Sequence, residues 1–265
     1  MLIMSLTRSL TLPLTTALSH AELTQKLGGS FSPYALNPYL LFDARDSMIG
    51  TLENPTLDLN PALPETLDVI TAVRTGVATY TDESGLIQEA TANTVRVDHS
   101  LGYPAMLIEP SATNRISYSN TFSKSASVSR LGNNFEAPDK TNTAEGYGNI
   151  PNNVSDAILL SSSTASVSGN TQYSGSIFVK GVAGKTVKFF VKRSGNGNYV
   201  ESSTQVITLT GEWQRITGMT ITTSSNNTDL TIYMLGTDTP ADEVYLWGAQ
   251  LEAGSVSTSY IPTSG

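Results

Sequence analysis

The sequence contains no cysteine, which excludes disulfides, thiolate zinc sites and a cysteine nucleophile. An extracellular protein without disulfides must be held together by core burial, by a bound ion or by oligomerisation. Histidine is also scarce, with only His20 and His99. His99 follows Asp98, but adjacent residues on a strand point to opposite faces, so Asp98 is badly placed to orient the imidazole in a serine triad. No Gly-x-Ser-x-Gly sequence is present, and we predict no enzymatic activity.

Charge is low and mostly negative. Charged residues make up 14% of the chain, against roughly 25% in an ordinary soluble domain. The formal net charge is −8, and no basic run exceeds the pair Lys192-Arg193. Because nucleic-acid binding requires basic patches, we predict no nucleic-acid partner. No apolar run approaches the ~20 residues needed to cross a bilayer, so we predict no membrane association.

The sequence of the first 30 residues predicts an N-terminal arm without a core of its own. Residues 1–21 resemble a signal peptide only weakly, because Pro13 and interspersed Thr and Ser interrupt the apolar stretch, and we expect none. Residues 2–18 mix Leu with Thr and predict an extended segment, and residues 21–27 predict a short helix capped by Ser19. Such an arm is too apolar to stay solvated and too short for its own core, so we expect it to dock on another subunit.

The rest of the chain predicts an all-β protein. The sequence of residues 31–110 predicts a proline-containing linker followed by a small β-rich domain, which includes a hairpin whose turn is at residues 82–85. Residues 111–265 carry longer alternating segments separated by Gly, Asn and Ser clusters, which predicts an antiparallel β-sandwich or jelly roll. The strands expected there cover residues 158–162, 173–180, 187–192, 199–209, 213–222, 230–235 and 244–251.

An ordered set of short segments from about residue 38 to residue 263 resembles tailed-bacteriophage virion structural proteins. In chain order the segments are Ala78-Thr79-Tyr80, Gly85-Leu86-Ile87-Gln88, Ala92-Asn93, Arg96-Val97-Asp98-His99, Leu107-Ile108-Glu109, Thr113-Asn114, Tyr118-Ser119-Asn120-Thr121-Phe122, Trp213-Gln214-Arg215, Leu246-Trp247-Gly248-Ala249-Gln250-Leu251-Glu252 and Thr258-Ser259-Tyr260-Ile261-Pro262-Thr263. The sequence departs from the pattern after Phe122, where relatives often carry an aromatic residue and this chain has serines.

The resemblance implies a C-terminal jelly roll similar to carbohydrate-binding modules, in a tail fibre, tail-associated protein or head decoration. Three functions follow from it. The first is a non-enzymatic virion protein that attaches the particle to the host surface, as a homo-oligomer and as a trimer if it is a fibre. The second is a head decoration or cement protein, and the third is a glycan-binding protein or depolymerase. We expect the virion as its location, with assembly in the bacterial cytoplasm.

Sugar binding needs an exposed aromatic face and planar hydrogen-bonding groups. The residues that best fit this requirement lie in Gly- and Asn-rich loops, where Tyr103, Tyr147 and Tyr199 would supply rings. Asn149, Asn198 and Gln172 would supply hydrogen bonds. Trp213 and Trp247 lie in apolar strand patterns, and we predict that both are buried in the core.

Carboxylates have two alternative roles. A glycosidase needs two of them ~5–9 Å apart, but the acidic residues of the second half lie mostly near turns and strand ends, which predicts a solvated rim. These residues are Glu201, Asp229, Asp242, Glu243 and Glu252. We expect no cofactor, although Asp139, Asp156 and Glu252 would be candidate ligands for a structural Ca²⁺, as in jelly rolls similar to carbohydrate-binding modules.

Overall fold

Short strands with alternating burial dominate the computed structural model. It describes residues 3–6, 70–152, 158–159, 165–194, 200–201, 204–225, 229–237 and 243–264. These residues form strands and turns and contain no helix, which confirms the all-β prediction. Within these ranges no helix is long and apolar enough to span a bilayer. The helix expected at residues 21–27 and the proline-rich linker lie outside the described residues.

The chain divides into two units, Met1–Ser111 and Ala112–Gly265. In the residues described for the first unit there are three two-stranded antiparallel pairs. Their strands are β1 (Ile3–Leu6), β2 (Ile70–Val73), β3 (Ala78–Thr81), β4 (Ile87–Ala90), β5 (Val97–Asp98) and β6 (Ala105–Met106). Strand β1 pairs with β2, so this part of the expected arm is bonded within its own chain.

The hairpin predicted at residues 82–85 is present between β3 and β4. Asp82 closes its turn by accepting hydrogen bonds from the backbone amides of Ser84 and Leu86, both at 2.9 Å. Asp98 directs its carboxylate away from His99, since one oxygen accepts from the Thr81 amide at 2.7 Å and the other from that of Ser100. The Asp98–His99 pair is therefore part of the scaffold of this unit.

The second unit is an antiparallel β-sandwich of two sheets. Its strands are β7 (Ser123–Lys124), β8 (Ser129–Phe135), β9 (Ala144–Gly148), β10 (Ile158–Leu159), β11 (Ala165–Ser166), β12 (Gln172–Gly181), β13 (Thr186–Ser194), β14 (Val200–Glu201), β15 (Gln205–Thr208), β16 (Gln214–Thr222), β17 (Asp229–Gly236) and β18 (Val244–Ala253). One sheet has the order β16-β12-β18-β9-β8, and the other contains β14-β13-β17-β10-β7 with β11 beside β17 and β15 beside β13.

Consecutive long strands alternate between the sheets, as expected of a jelly roll. The core lies between them, and alternation decides which side chains enter it. On β12, Ile177 and Val179 face the core, whereas the residues between and beside them point to the outer face, the side turned away from the core. On β18, Leu246 faces the core, and the bulge that follows it shifts the alternation by one residue, so that Leu251 also faces inward.

Phe190 breaks the polar alternation of β13, and the structure explains the break. It lies outside the main core and stacks on Tyr233 of β17, with ring centroids 5.4 Å apart and an angle of 7° between the planes. Lys188 places its ammonium 5.2 Å from the Phe190 centroid. Phe190 has 0% exposure, whereas Tyr233 is partly exposed.

Candidate ligand-binding site

The outer face of the five-stranded sheet carries a row of side chains in matching register. Tyr245 of β18 pairs with Lys180 of β12 on one side and with Gly146 of β9 on the other. Paired residues point to the same face, so the Tyr245 ring lies between the Lys180 side chain and the bare backbone of Gly146. Phe135, at the end of β8, reaches across the same glycine.

Phe135 and Tyr245 form an edge-to-face pair above Gly146, with ring centroids 4.8 Å apart and an angle of 64° between the planes. Both rings are partly exposed. A Cβ on Gly146 would lie 2.7 Å from Phe135 Cε2 and 3.2 Å from Tyr245 Cδ1. Only glycine therefore allows both rings to pack against the backbone at this position. We call Phe135, Gly146, Lys180 and Tyr245 the aromatic site.

Charged groups surround this site in balanced numbers. The Tyr245 hydroxyl donates to Glu243 Oε2 at 3.1 Å, and burial, followed by the hydrogen bond and charge of Glu243, raises the pKa of Tyr245. Next to Phe135, Glu136 accepts a hydrogen bond from Lys140 at 2.8 Å. That bond and the charges of Lys140 and Lys180 lower the pKa of the Glu136 carboxyl. The site therefore combines two apolar rings with strong donors and acceptors and no excess of one charge.

A second part of the outer face is closed by the C-terminal strap, residues 257–264. Tyr260 packs on Trp247 with centroids 4.4 Å apart and on Phe178 at 6.2 Å. Gln250 accepts from the Ile261 amide at 2.7 Å, and Glu252 accepts from the Thr258 amide at 2.6 Å. All of these residues except the partly buried Ile261 are buried, so the strap belongs to the fold.

The strap is held by the segments that carry the virion-protein resemblance. Ser119 and Thr263 exchange backbone and side-chain hydrogen bonds, and Asn120 accepts from the amide of Gly248 at 2.9 Å. Gly248 has φ +65° at the point where β18 bulges against β12, a conformation that glycine adopts without strain. Asn114 makes four hydrogen bonds, two to β18, one to the strap and one to the Ile116 amide. The motifs thus meet in a buried structural network.

The structure does not assemble the ligand site predicted from the sequence. Tyr103 is partly buried and belongs to the first unit, whereas Tyr199 and Asn198 lie outside the described residues. Gln172 is exposed at the opposite end of β12 from Lys180. Asn149 is exposed and donates to Ser129 Oγ at 3.0 Å.

The prediction that Tyr147 is an exposed platform is wrong. Tyr147 lies on β9 rather than in a loop, and its ring is fully buried in the core. Its hydroxyl contacts the Glu145 carboxylate, while Arg130 Nη2 lies 3.1 Å from Glu145 Oε2 and 3.2 Å from the Tyr147 oxygen. Sequence reasoning missed the strand because its alternating glycines resemble a loop.

The two tryptophans, Trp213 and Trp247, differ in burial. Trp247 is 1% exposed, which confirms its predicted burial, although its ring lies under the strap. Trp213 is only partly buried and is not a member of the described core clusters, so its predicted core position is wrong.

The carboxylates were predicted to lie on a solvated rim or to bind a structural Ca²⁺, and the first prediction is wrong for Glu252. Glu252 is 0% exposed and not part of a solvated rim. No group of three or more His, Asp or Glu side chains forms a metal cluster in the described parts of the chain. Asp139 accepts from the Thr141 amide at 3.0 Å, and Asp156 is not described, so the calcium site stays a prediction.

Glu145 gives the core a testable pH dependence. Burial raises the pKa of its carboxyl above the usual 4.5, despite the opposing hydrogen bond from Tyr147 and the charge of Arg130. A raised pKa in the fold means that stability from this group is fully present below pH 4.5 and is lost as the pH rises through the folded-state pKa.

We therefore expect acidification from about pH 7 to about pH 5 to stabilise the wild type relative to Glu145→Gln, as measured by urea unfolding at both values. Glu136→Gln is the matched control with the opposite sign, because the folded-state pKa of Glu136 is lowered. A wild type that instead loses stability relative to Glu145→Gln on acidification would show that the Arg130 ion pair dominates.

The described fold and site define an antiparallel jelly-roll β-sandwich with a partly exposed aromatic pair on one sheet. No protein-family profile matches the chain, and no curated protein sequence is significantly similar.

Solved structures with a similar fold include carbohydrate-binding modules. The chain is similar to the CBM22-1 and GH10 modules of Clostridium thermocellum endo-1,4-beta-D-xylanase 10B, solved with xylohexaose, at 15% identity and a TM-score of 0.40, covering 53% of this chain and 28% of that one. It is similar to the CBM22-1 xylan-binding domain of Paenibacillus barcinonensis Xyn10C at 15% identity and a TM-score of 0.40, covering 55% and 94%. The enzymatically active domain of bacteriophage CBA120 tailspike protein 4 matches at 11% identity and a TM-score of 0.35, covering 51% and 19%. A shared fold does not imply a shared ligand.

Proposed function

We propose that this chain is a non-catalytic glycan-binding protein of a bacteriophage virion, and that the aromatic site contacts a sugar of the host surface. The observation that carries the binding proposal is the pair of partly exposed rings, Phe135 and Tyr245, held 4.8 Å apart over Gly146. Burying these two rings under the apolar surface of a ligand would be favourable, because both rings are left partly exposed by the surrounding residues.

A sugar fits this arrangement chemically. One face of a pyranose ring presents C–H groups that pack on an aromatic ring, while its hydroxyls lie at the edge and need donors and acceptors. Lys180 supplies donors, Glu243 supplies an acceptor, and the Tyr245 hydroxyl can do both. Because the nearby charges are balanced between Glu136, Glu243, Lys140 and Lys180, an uncharged sugar suits the site better than an anionic one.

Two features favour binding over cleavage. A glycosidase needs a general acid with a raised pKa beside the bound sugar. The carboxyl whose pKa burial raises, Glu145, faces the core beside Tyr147, while Glu136 beside the aromatic site has a lowered pKa. A carboxylate that stays ionised accepts hydrogen bonds from hydroxyls and does not protonate a leaving group.

The virion setting is supported by the motif resemblance, whose residues build the network between Asn114, Ser119, Asn120 and the strap. Within that setting we assign the chain to the tail or its fibres, as an attachment protein that acts as a homo-oligomer. Antibody labelling of intact particles under the electron microscope tests this assignment, and label on the head would favour the decoration function.

The binding test uses an array of glucose, galactose, xylose, rhamnose and N-acetylglucosamine oligosaccharides, followed by calorimetry with those retained. We expect Tyr245→Ala and Phe135→Ala each to weaken binding about tenfold or more, because each removes one stacking ring. Tyr118→Ala is the matched control, since Tyr118 is a 48%-exposed tyrosine outside the site. Equal affinity of Tyr245→Ala and the wild type would contradict the proposal.

Gly146 allows the same site to be tested without removing a ring. A Cβ there meets Phe135, whose partly exposed ring can swing away, so Gly146→Ala should weaken binding while costing little stability. Gly148→Ala on the same strand is the control, because its Cβ would meet only Leu131 at an ordinary 3.6 Å. If both variants bind like the wild type, the rings over Gly146 are not the contact surface.

A further inference from the structure

Trp213 lies where the row of the aromatic site would continue beyond β12. Strands β12 and β16 pair Phe178 with Arg215 and Val179 with Gln214. Extended by one residue, that register places Trp213, the residue just before β16, opposite Lys180. Arg215 lies over the Phe178 ring on the outer face, at 5.5 Å from its centroid. Strand alternation therefore places the Trp213 side chain on the same face, two positions away.

The exposure of Trp213 agrees with this placement. Ile216, three residues further along the chain and therefore on the opposite face, enters the main core, whereas Trp213 is partly exposed and absent from the described core clusters. Partial exposure is what a large aromatic side chain on the outer face would show.

The spacing of the strands sets the length of the row. Neighbouring strands lie about 4.8 Å apart, so the backbones of Trp213 and Tyr245, separated by β12, lie roughly 10 Å apart. One sugar ring cannot stack on both residues at that separation. Two linked rings can, and Lys180 would then lie between them with its three ammonium donors.

We infer that the glycan site extends across β12 to Trp213 and takes a linear chain of at least two stacked sugars, running across the strands, rather than a single terminal residue. This inference rests on the proposed function, because it names the ligand of the same site. Tyr245 and Phe135 bind one sugar of the chain, and Trp213 binds another.

The test compares mono-, di-, tri- and tetrasaccharides of the sugars retained on the array, by calorimetry with the full chain. We expect affinity to rise with chain length. Trp213→Ala should lower affinity for the longer oligosaccharides about tenfold and leave the monosaccharide affinity unchanged. Tyr245→Ala should lower both. Thermal melting accompanies each variant to show that it is folded.

A second measurement needs no variant. Trp247 is 1% exposed, so quenching of tryptophan fluorescence by acrylamide reports mainly on Trp213. A trisaccharide should protect the fluorescence from the quencher and the monosaccharide should not. Affinity that is independent of chain length, or quenching that no oligosaccharide changes, would overturn the inference and leave the proposed function standing. Failure of every sugar to bind would overturn both.

Discussion

Replacing Trp247 with alanine should reduce the free energy of unfolding by ~3–5 kcal/mol. The indole is 1% exposed and is enclosed by Phe178, with ring centroids 5.4 Å apart, and by Tyr260 at 4.4 Å. Its Nε1 also donates to Thr143 Oγ1 at 3.0 Å. Alanine would leave a cavity between the strap and the sheet that the surrounding strands cannot close.

Trp213→Ala is the matched comparison, because it removes the same side chain from a partly exposed position. Its cost should stay below about 2 kcal/mol, since less apolar surface is buried there. Urea unfolding of both variants measures the difference. Equal losses would show that Trp213 belongs to the core after all, and would remove the basis for the extended site.

Asn114→Ala should cost ~2–4 kcal/mol, the second large effect. The buried amide donates to the carbonyls of Ala249 and Ile261, both at 3.0 Å, and accepts from the amides of Ile116 at 3.1 Å and Leu251 at 3.0 Å. Alanine leaves all four backbone groups without this partner. Because the four groups lie on three segments, the variant should also loosen the strap.

Hydrogen exchange of the strap amides, together with urea unfolding, measures this effect. Gln205→Ala is the control, since Gln205 is a partly exposed amide with a bond of 3.3 Å to the Gly218 carbonyl, and it should change stability by less than about 1 kcal/mol. Asn114→Ala with unchanged stability would mean that water replaces the lost hydrogen bonds.

Sequence patterning predicted the parts of the fold in which apolar residues alternate. Strands β12, β13 and β18 fall where Ile177, Val191 and Leu246 mark the core side. It missed β8 and β9. Glycine disfavours a strand on its own, and β9 forms because β8 and β18 pair with it on both sides. A strand that forms because its neighbours pair with it does not need an alternating apolar pattern in its own sequence, so the sequence alone does not predict it.

The site was missed for a related reason. The glycines on either side of Tyr147 predict a loop, yet they belong to a strand that directs the Tyr147 ring into the core. Tyr245 could have been found, since it alternates with Val244 and Leu246 and so must face outward. Phe135 could not, because its position over Gly146 depends on a β8–β9 register with two irregularities.

A crystal structure of the protein with an oligosaccharide retained on the array would show directly whether the aromatic site binds a sugar. We expect one sugar ring over the Phe135–Tyr245 pair above Gly146, with the sugar chain continuing past Lys180 toward Trp213. A sugar bound instead in the first unit or on the seven-stranded sheet, with the aromatic site empty, would contradict this expectation.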